Sequence, residues 1–218
     1  MQADLMDKVS VIIRNKNESQ FIGFALQSVC DHLPNSNVVV VDDNSLDDSM
    51  DIVKMFNTRL NIKTIKIDDY SPGKALNIAI NYCQHETILI LSAHAQIVRM
   101  DLHSVKKKLK KFAAVFGNQT PIYRGKKITK RYIWSHFIDG EVTNMWSDIE
   151  NRPFLHNAFC FYNKKDLIDL PFDESLSGKE DRYWAIDLLK KKKSYLYTPA
   201  IEVNHYYTVN GATWKGIG

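Results

Sequence analysis

Hydrophobic positions repeat along the first half of the chain as a short unbroken apolar run, a polar turn, then apolar residues at helical spacing. Val9 to Ile13 is the first such run, and Glu18 to Leu33 follows with Phe21, Ile22, Ala25, Leu26, Val29 and Leu33 on one helical face. The valines Val38 to Val41 make a second run. After it, Asp42-Asp43-Asn44-Ser45 predicts a turn, and Asp47 and Asp48 charge the first turn of a helix running to about Phe56. Ile62 to Ile67 predicts a third strand, Pro72 to Tyr82 a third helix and Thr87 to Leu91 a fourth strand.

Strands alternating with helices predict an α/β fold with a doubly wound, mostly parallel sheet. Strands apolar throughout fit a sheet covered on both faces, and such sheets take their ligands outside the carboxyl ends of the strands. Attention therefore falls on four loops: Arg14 to Glu18, Asp42 to Ser45, Asp68 to Lys74 and Ser92 to Gln96. The second half is less regular. Gly117 to Arg131 is polar and basic and Tyr132 to Pro153 is rich in aromatics, acids and Asn, which predicts long loops. A helix is expected again over Lys179 to Lys193, followed by short strands around Tyr195 to Tyr197 and Ile201 to His205.

With 218 residues, 44% hydrophobic and 25% charged, the chain suits a single domain, residues 1–218, with a sizeable core. The 29 Lys and Arg against 25 Asp and Glu are a mild surplus, fitting a phosphate-bearing or membrane-surface partner and not a nucleic-acid footprint. Cys30, Cys83 and Cys160 are odd in number and widely spaced, which argues against a disulfide framework or zinc knuckle and for a reducing, cytoplasmic setting. Met1 to Lys8 holds two acids and no apolar core of signal length, and no later stretch reaches about 18 apolar residues. A soluble or peripheral protein is expected.

Four segments, Val9-Ser10-Val11-Ile12-Ile13, Val40-Val41-Asp42-Asp43-Asn44-Ser45, Gly73-Lys74-Ala75-Leu76-Asn77 and Glu180-Asp181, together resemble family 2 glycosyltransferases in order and spacing. Val115 to Gln119, Phe154 to Ala158 and Pro171 to Glu174 resemble a bacterial subgroup associated with surface polysaccharide assembly. The resemblance implies a GT-A fold. It also implies a nucleotide-sugar donor held mainly by residues 1–100 and a saccharide or lipid-linked saccharide acceptor held by residues 101–218.

On that resemblance the loop after the first strand, with Arg14, Asn15 and Glu18, and Asp43 hold the nucleoside, a carboxylate being able to accept from a base N–H or a ribose hydroxyl. Asp42 and Asp43 also suit a helix cap. Lys74, at a predicted helix start, can meet a donor phosphate with the helix end behind it, with Asn77 one turn on; a solvated lysine is the bland alternative. Glu180-Asp181 matches the acid pair from which the family draws its base. Inverting transfer needs a carboxylate to take the acceptor hydroxyl's proton, with Asp181 as base and Glu180 positioning. Two acids at a helix N-terminus also complement its dipole.

Where the family usually carries Asp-x-Asp for a divalent cation, Mn²⁺ or Mg²⁺, this chain reads Ser92-Ala93-His94. That departure leaves three readings open: His94 ligates a softer metal together with His205, His94 hydrogen-bonds the donor phosphate directly, or activity is lost. His205 is equally suited to packing. The basic runs Lys106 to Lys111 and Lys190 to Lys193 fit either solvated helix ends or attraction to anionic lipid headgroups. Trp134, Trp146 and Trp184 suit either sugar stacking or the core. The competing readings are a non-catalytic nucleotide- or glycan-binding partner subunit and a sugar-phosphate nucleotidyltransferase. The second usually needs a glycine-rich phosphate loop, and no glycine precedes Gly23.

Overall fold

A computed structural model describes residues 8–209 and 211. The segment Met1 to Asp7, part of the stretch expected to lack a leader, lies outside the described residues. Every predicted element of the first half is present: β1 (Ser10–Asn15), α1 (Ile22–His32), β2 (Asn37–Asp42), α2 (Ser49–Met55), β3 (Asn61–Lys66), α3 (Pro72–Asn81) and β4 (Thr87–Ser92). β3, β2, β1 and β4 are adjacent and parallel, so the loops after them gather along one edge.

The strands are apolar throughout because both faces are covered. Ile12, Val39, Val41, Ile88 and Ile90 pack with Ala75, Leu76 and Ala79 of α3, while Val11, Ile13, Val38, Val40 and Leu89 pack with Leu26 and Val29 of α1 on the other face. Alternation of side chains along a strand sends neighbours to opposite layers. Cys30, Cys83 and Cys160 are free thiols. No helix among the described residues is long and apolar enough to cross a membrane.

The second half departs from expectation. β5 (Ala95–Arg99) and α4 (Leu102–Leu109) lead into β6 (Ala114–Tyr123), a largely buried central strand where a polar loop was expected. The misleading residues are Asn118, Gln119 and Thr120, polar groups that find partners across the sheet: Lys130 Nζ donates to Asn118 Oδ1 at 2.9 Å and Thr120 Oγ1 to Glu202 Oε1 at 2.6 Å. After the two-residue strands β7 (Lys126–Lys127), β8 (Val142–Thr143), β9 (Trp146–Ser147) and β10 (Arg152–Pro153), β11 (Phe159–Asn163) enters antiparallel between β4 and β6. α5 (Lys164–Asp169) and α6 (Glu180–Lys190) follow. The two short final strands are one, β12 (Tyr195–Tyr206), whose register on β6 shifts between Thr198 and Glu202, around Pro199. The main sheet runs β3-β2-β1-β4-β11-β6-β12-β5.

β6 and β12 run parallel, and Ala113 N–H donates to Ser194 O at 2.9 Å just before both begin. This brings the ends of α4 and α6, and hence both lysine runs, together at the sheet edge opposite the polar loops of β1, β2 and β4. Lys190 pairs with Asp187 and Lys193 with Asp166 there.

Gly117 sits in β6 where an added Cβ would lie 2.5 Å from Phe159 Cδ1 and 2.8 Å from Ile201 Cγ1. Overpacking of this kind costs about 1–3 kcal/mol. Gly117→Ala should lower the unfolding free energy by that amount, seen as a lower urea midpoint at unchanged m-value; an unaltered midpoint would show that β11 and β12 yield freely.

Candidate active site

β1 ends with Arg14 and Asn15, whose side chains alternate in direction. Asn15 is buried; its Nδ2 donates to Asp42 Oδ1 at 2.8 Å, Ser45 Oγ at 3.0 Å and Ser49 Oγ at 2.9 Å. It ties the loop after β2 to β1 and to the start of α2. Asp42 faces inward and also accepts from Ser45 N–H, at 3.1 Å. Asp43, whose N–H donates to Asn15 O at 3.0 Å, turns its carboxylate toward Lys16 Nζ, 3.6 Å away. Neither acid caps α2, which begins after Asp48.

Arg14 reaches the other way, donating from Nη1 to Glu180 Oε1 at 2.8 Å. Glu180 and Asp181 open α6 after Lys179, which adopts a left-handed conformation at φ 61°. The segment Phe154 to Ala158, just before β11, grips both acids. Asn157 Nδ2 donates to Glu180 Oε1 at 3.3 Å and Asn157 N–H to Asp181 Oδ2 at 2.9 Å. Tyr162 OH fixes that amide by donating to Asn157 Oδ1 at 2.5 Å. Arg182 spans Asp181 Oδ2 at 2.9 Å, Leu155 O at 2.7 Å and Glu150 Oε2 at 3.0 Å, with its guanidinium over the Phe154 ring.

These surroundings separate the two acids. Burial acts to raise the Glu180 carboxyl, but Arg14 and the hydrogen bonds from its own backbone and Asn157 prevail and hold it below the usual range. Burial pushes the Asp181 carboxyl up; Arg182 opposes this and the charge of Glu180 adds to it. Burial likewise raises the Tyr70 hydroxyl, close to Arg14.

The expected donor residues do not all meet here. Asn77 instead donates to Phe172 O at 2.9 Å and accepts from Phe172 N–H at 3.0 Å, clamping α3 to the segment after α5. Gly73 belongs to the same seam, since a Cβ there would lie 2.4 Å from Asp173 O. Lys74 pairs with exposed Asp69 at 3.1 Å. Glu18 is buried; its carbonyl accepts from Phe21 and Ile22 N–H at the start of α1, and its carboxylate Oε1 lies 3.1 Å from His94 Nδ1. Ser92 Oγ is 3.1 Å from His94 Nε2.

His205 is buried in the core, with Nδ1 on Gln119 Oε1 at 2.8 Å and its ring against Trp134 and 4.9 Å from that of His94. Burial and the neighbouring His94 lower its pKa well below the ordinary value. Among the described residues no group of three or more His, Cys, Asp or Glu is disposed to hold a metal ion. The expected His94 and His205 pair stands with its rings 4.9 Å apart, each Nδ1 on a side-chain oxygen of the fold. Trp134 and Trp184 are core residues, whereas Trp146 is exposed. Asn157, Arg182, Tyr70 and Tyr162 went unassigned in the sequence. Phe154 to Ala158 signalled Asn157 only as a motif, and Arg182 follows the acid pair directly.

The sequence model described as glycosyl transferase family 2 matches residues 10–170. A poly(ribitol-phosphate) beta-N-acetylglucosaminyltransferase, TarS, of Staphylococcus aureus is 33% identical over 93 residues, covering 40% of this chain and 16% of that protein. The structure of S. aureus TarS 1-349 with UDP-GlcNAc superposes with a TM-score of 0.71 at 22% identity, over 96% of this chain and 61% of that one. A Pyrobaculum calidifontis mannosyltransferase in complex with GDP-Man and Mn²⁺ gives 0.70 at 20% identity, over 93% and 58%. The chain therefore spans less than two thirds of these relatives, and the structural likeness bears on the fold, a GT-A glycosyltransferase fold.

A depressed carboxyl contributes stability that is present above its unfolded pKa, about 4.3 for Glu, and is lost as pH falls through the folded value. Glu180→Gln should therefore cost about 1–3 kcal/mol at neutral pH, a deficit that shrinks as pH is lowered below about 4. Urea denaturation across pH tests this; a deficit independent of pH would refute the Arg14 pairing as its origin. With most of its length matched by the family's sequence pattern and its fold shared, the chain belongs to glycosyl transferase family 2.

Proposed function

We propose that the protein is an inverting glycosyltransferase that moves a sugar from a nucleotide-sugar donor to a saccharide or lipid-linked saccharide acceptor in surface polysaccharide assembly. The observation that carries this reading is the acid pair at the start of α6. Two adjacent buried carboxyls have their proton affinities driven apart, Glu180 down by Arg14 and Asp181 up by burial. Such a split separates a charged positioning group from a carboxyl of raised proton affinity, the property that suits a general base.

Asp181 takes the proton of the acceptor hydroxyl as that oxygen bonds to the anomeric carbon. The bond from that carbon to the donor phosphate oxygen breaks on the opposite face, and the nucleoside diphosphate leaves with the electron pair. Charge spread over the ring in the transition state resembles that of glycoside hydrolysis. Asp43 accepts from the nucleoside at the carboxyl edge of β2, while the loop with Arg14, Asn15 and Glu18 frames it. Asn15 and Glu18 act through their structural bonds.

The residues before β5 serve the donor and those after it the acceptor. Kinship with TarS makes UDP-GlcNAc the first donor to test and a polyol-phosphate or saccharide chain the first acceptor. The joined lysine runs, on the edge away from the cleft, suit a peripheral contact with an anionic membrane face in the cytoplasm.

Thermal shift against UDP, GDP, CDP, CMP and dTDP tests the donor site, because a ligand of the folded state raises the melting point. One nucleotide should stabilise the protein and lose its effect in Asp43→Ala; stabilisation by none would sink the proposal. Asp181→Asn should keep that nucleotide shift while sugar transfer falls about 10²–10⁴-fold. Retention of full transfer in this variant would exclude Asp181 as base.

A further inference from the structure

We infer that the donor diphosphate is held without a divalent metal ion, by the side chains of Arg14 and Lys16 at the end of β1. The inference rests on the donor reading above and deepens it. Mn²⁺ accompanies the nucleotide in the mannosyltransferase structure and in that of GalNAc-T7, which superposes with a TM-score of 0.69 at 14% identity. Mg²⁺ and Mn²⁺ sites are built chiefly from carboxylate, carbonyl and water oxygens.

At the end of β4 this chain presents a hydroxyl and an imidazole, Ser92 and His94, which lie 3.1 Å from each other. The carboxylate beside them is that of Glu18, whose Oε1 serves His94 at 3.1 Å and Thr208 Oγ1 at 3.3 Å. His205 is buried behind them on Gln119. No set of three ligands results among the described residues.

The positive charge that a metal would bring is present on the chain itself. Arg14 and Lys16 stand two residues apart, and Asn15 between them points into the fold. Arg14 faces the acid pair through Glu180, 2.8 Å away. Lys16 faces the nucleoside side, hydrogen-bonded to Asp43 O and 3.6 Å from the Asp43 carboxylate. Together they span the interval between the proposed nucleoside contact and the proposed base, which is where a diphosphate joins nucleoside to sugar. Each carries one positive charge, Arg14 beside Glu180 and Lys16 beside Asp43. Arg14 has five N–H donors and uses part of them on Glu180 and Tyr70; the rest of its planar fork suits phosphate oxygens. Positively charged groups pre-aimed at a departing diphosphate stabilise the charge that develops there.

Calorimetric titration of UDP, GDP, CDP and dTDP into the chain, first with EDTA and then with Mn²⁺ or Mg²⁺, tests the inference. One nucleotide should bind with a Kd that agrees within about twofold between the two conditions. Arg14→Gln and Lys16→Ala should each weaken nucleotide binding about tenfold more than they weaken binding of the matching nucleoside, which lacks phosphate. Arg14→Lys, which keeps the charge, should recover part of the loss, and the comparison of nucleotide with nucleoside separates phosphate contact from damage to the Glu180 pairing. The Mn²⁺ paramagnetic resonance signal of a Mn²⁺–nucleotide mixture, already lowered by chelation on the diphosphate, should fall no further when protein is added. A nucleotide that binds only with Mn²⁺, or a further loss of that signal on adding protein, overturns the inference while upholding the donor site. Absence of binding in both conditions sinks the donor reading and this inference with it.

Discussion

The ion pair of Arg14 with Glu180 is the contact on which the cleft depends. It joins the carboxyl end of β1, in the regular half of the sheet, to the first turn of α6, in the irregular half. Both groups are largely withdrawn from water, so each is costly without the other and the pair holds the two halves in one arrangement. From this contact the rest follows. A charged Glu180 raises the proton affinity of Asp181, Asn157 binds to both acids, and Arg182 supplies the opposing charge that keeps Asp181 from being an isolated buried anion.

The antiparallel entry of β11 between β4 and β6 makes this possible. Because β11 runs against its neighbours, the segment before it, Phe154 to Ala158, arrives at the same edge as the carboxyl ends of β1, β2 and β4. Asn157 is thereby delivered to the acid pair by backbone direction. A second seam supports the approach to α6: Gly73 lies against the backbone of Asp173, and Asn77 hydrogen-bonds both backbone groups of Phe172. Asn77, which reads as a donor contact in the sequence, thus helps to seat the segment leading to the acids.

Behind the cleft, His205, His156 and Trp134 form a buried aromatic cluster that reaches His94. Burial keeps His156 and His205 readily neutral, with neighbouring positive groups acting in the same direction. Where a pair of carboxylates would need cations, this cluster needs hydrogen-bond acceptors, and Glu18 and Gln119 provide them.

Local pattern by itself determined the regular half. Continuous apolar runs and helical spacing act within a few residues, so β1 to β4 and the helices between them were legible, as was the edge where their polar loops gather. The proposed site residues Asp43, Glu180 and Asp181 were singled out there too, through resemblance. What only the tertiary structure decided was the course of β6, whose Asn118, Gln119 and Thr120 are polar yet hydrogen-bonded to Lys130, His205 and Glu202, and the order of β11, β12 and β5. It also decided the division of labour among polar residues: Asp42 inward and Asp43 toward the cleft, Asn77 in a seam, His205 in the core. A side chain's direction and partners depend on which strand lies beside it, and that information is spread over contacts from residue 14 to residue 180 rather than written in any one segment.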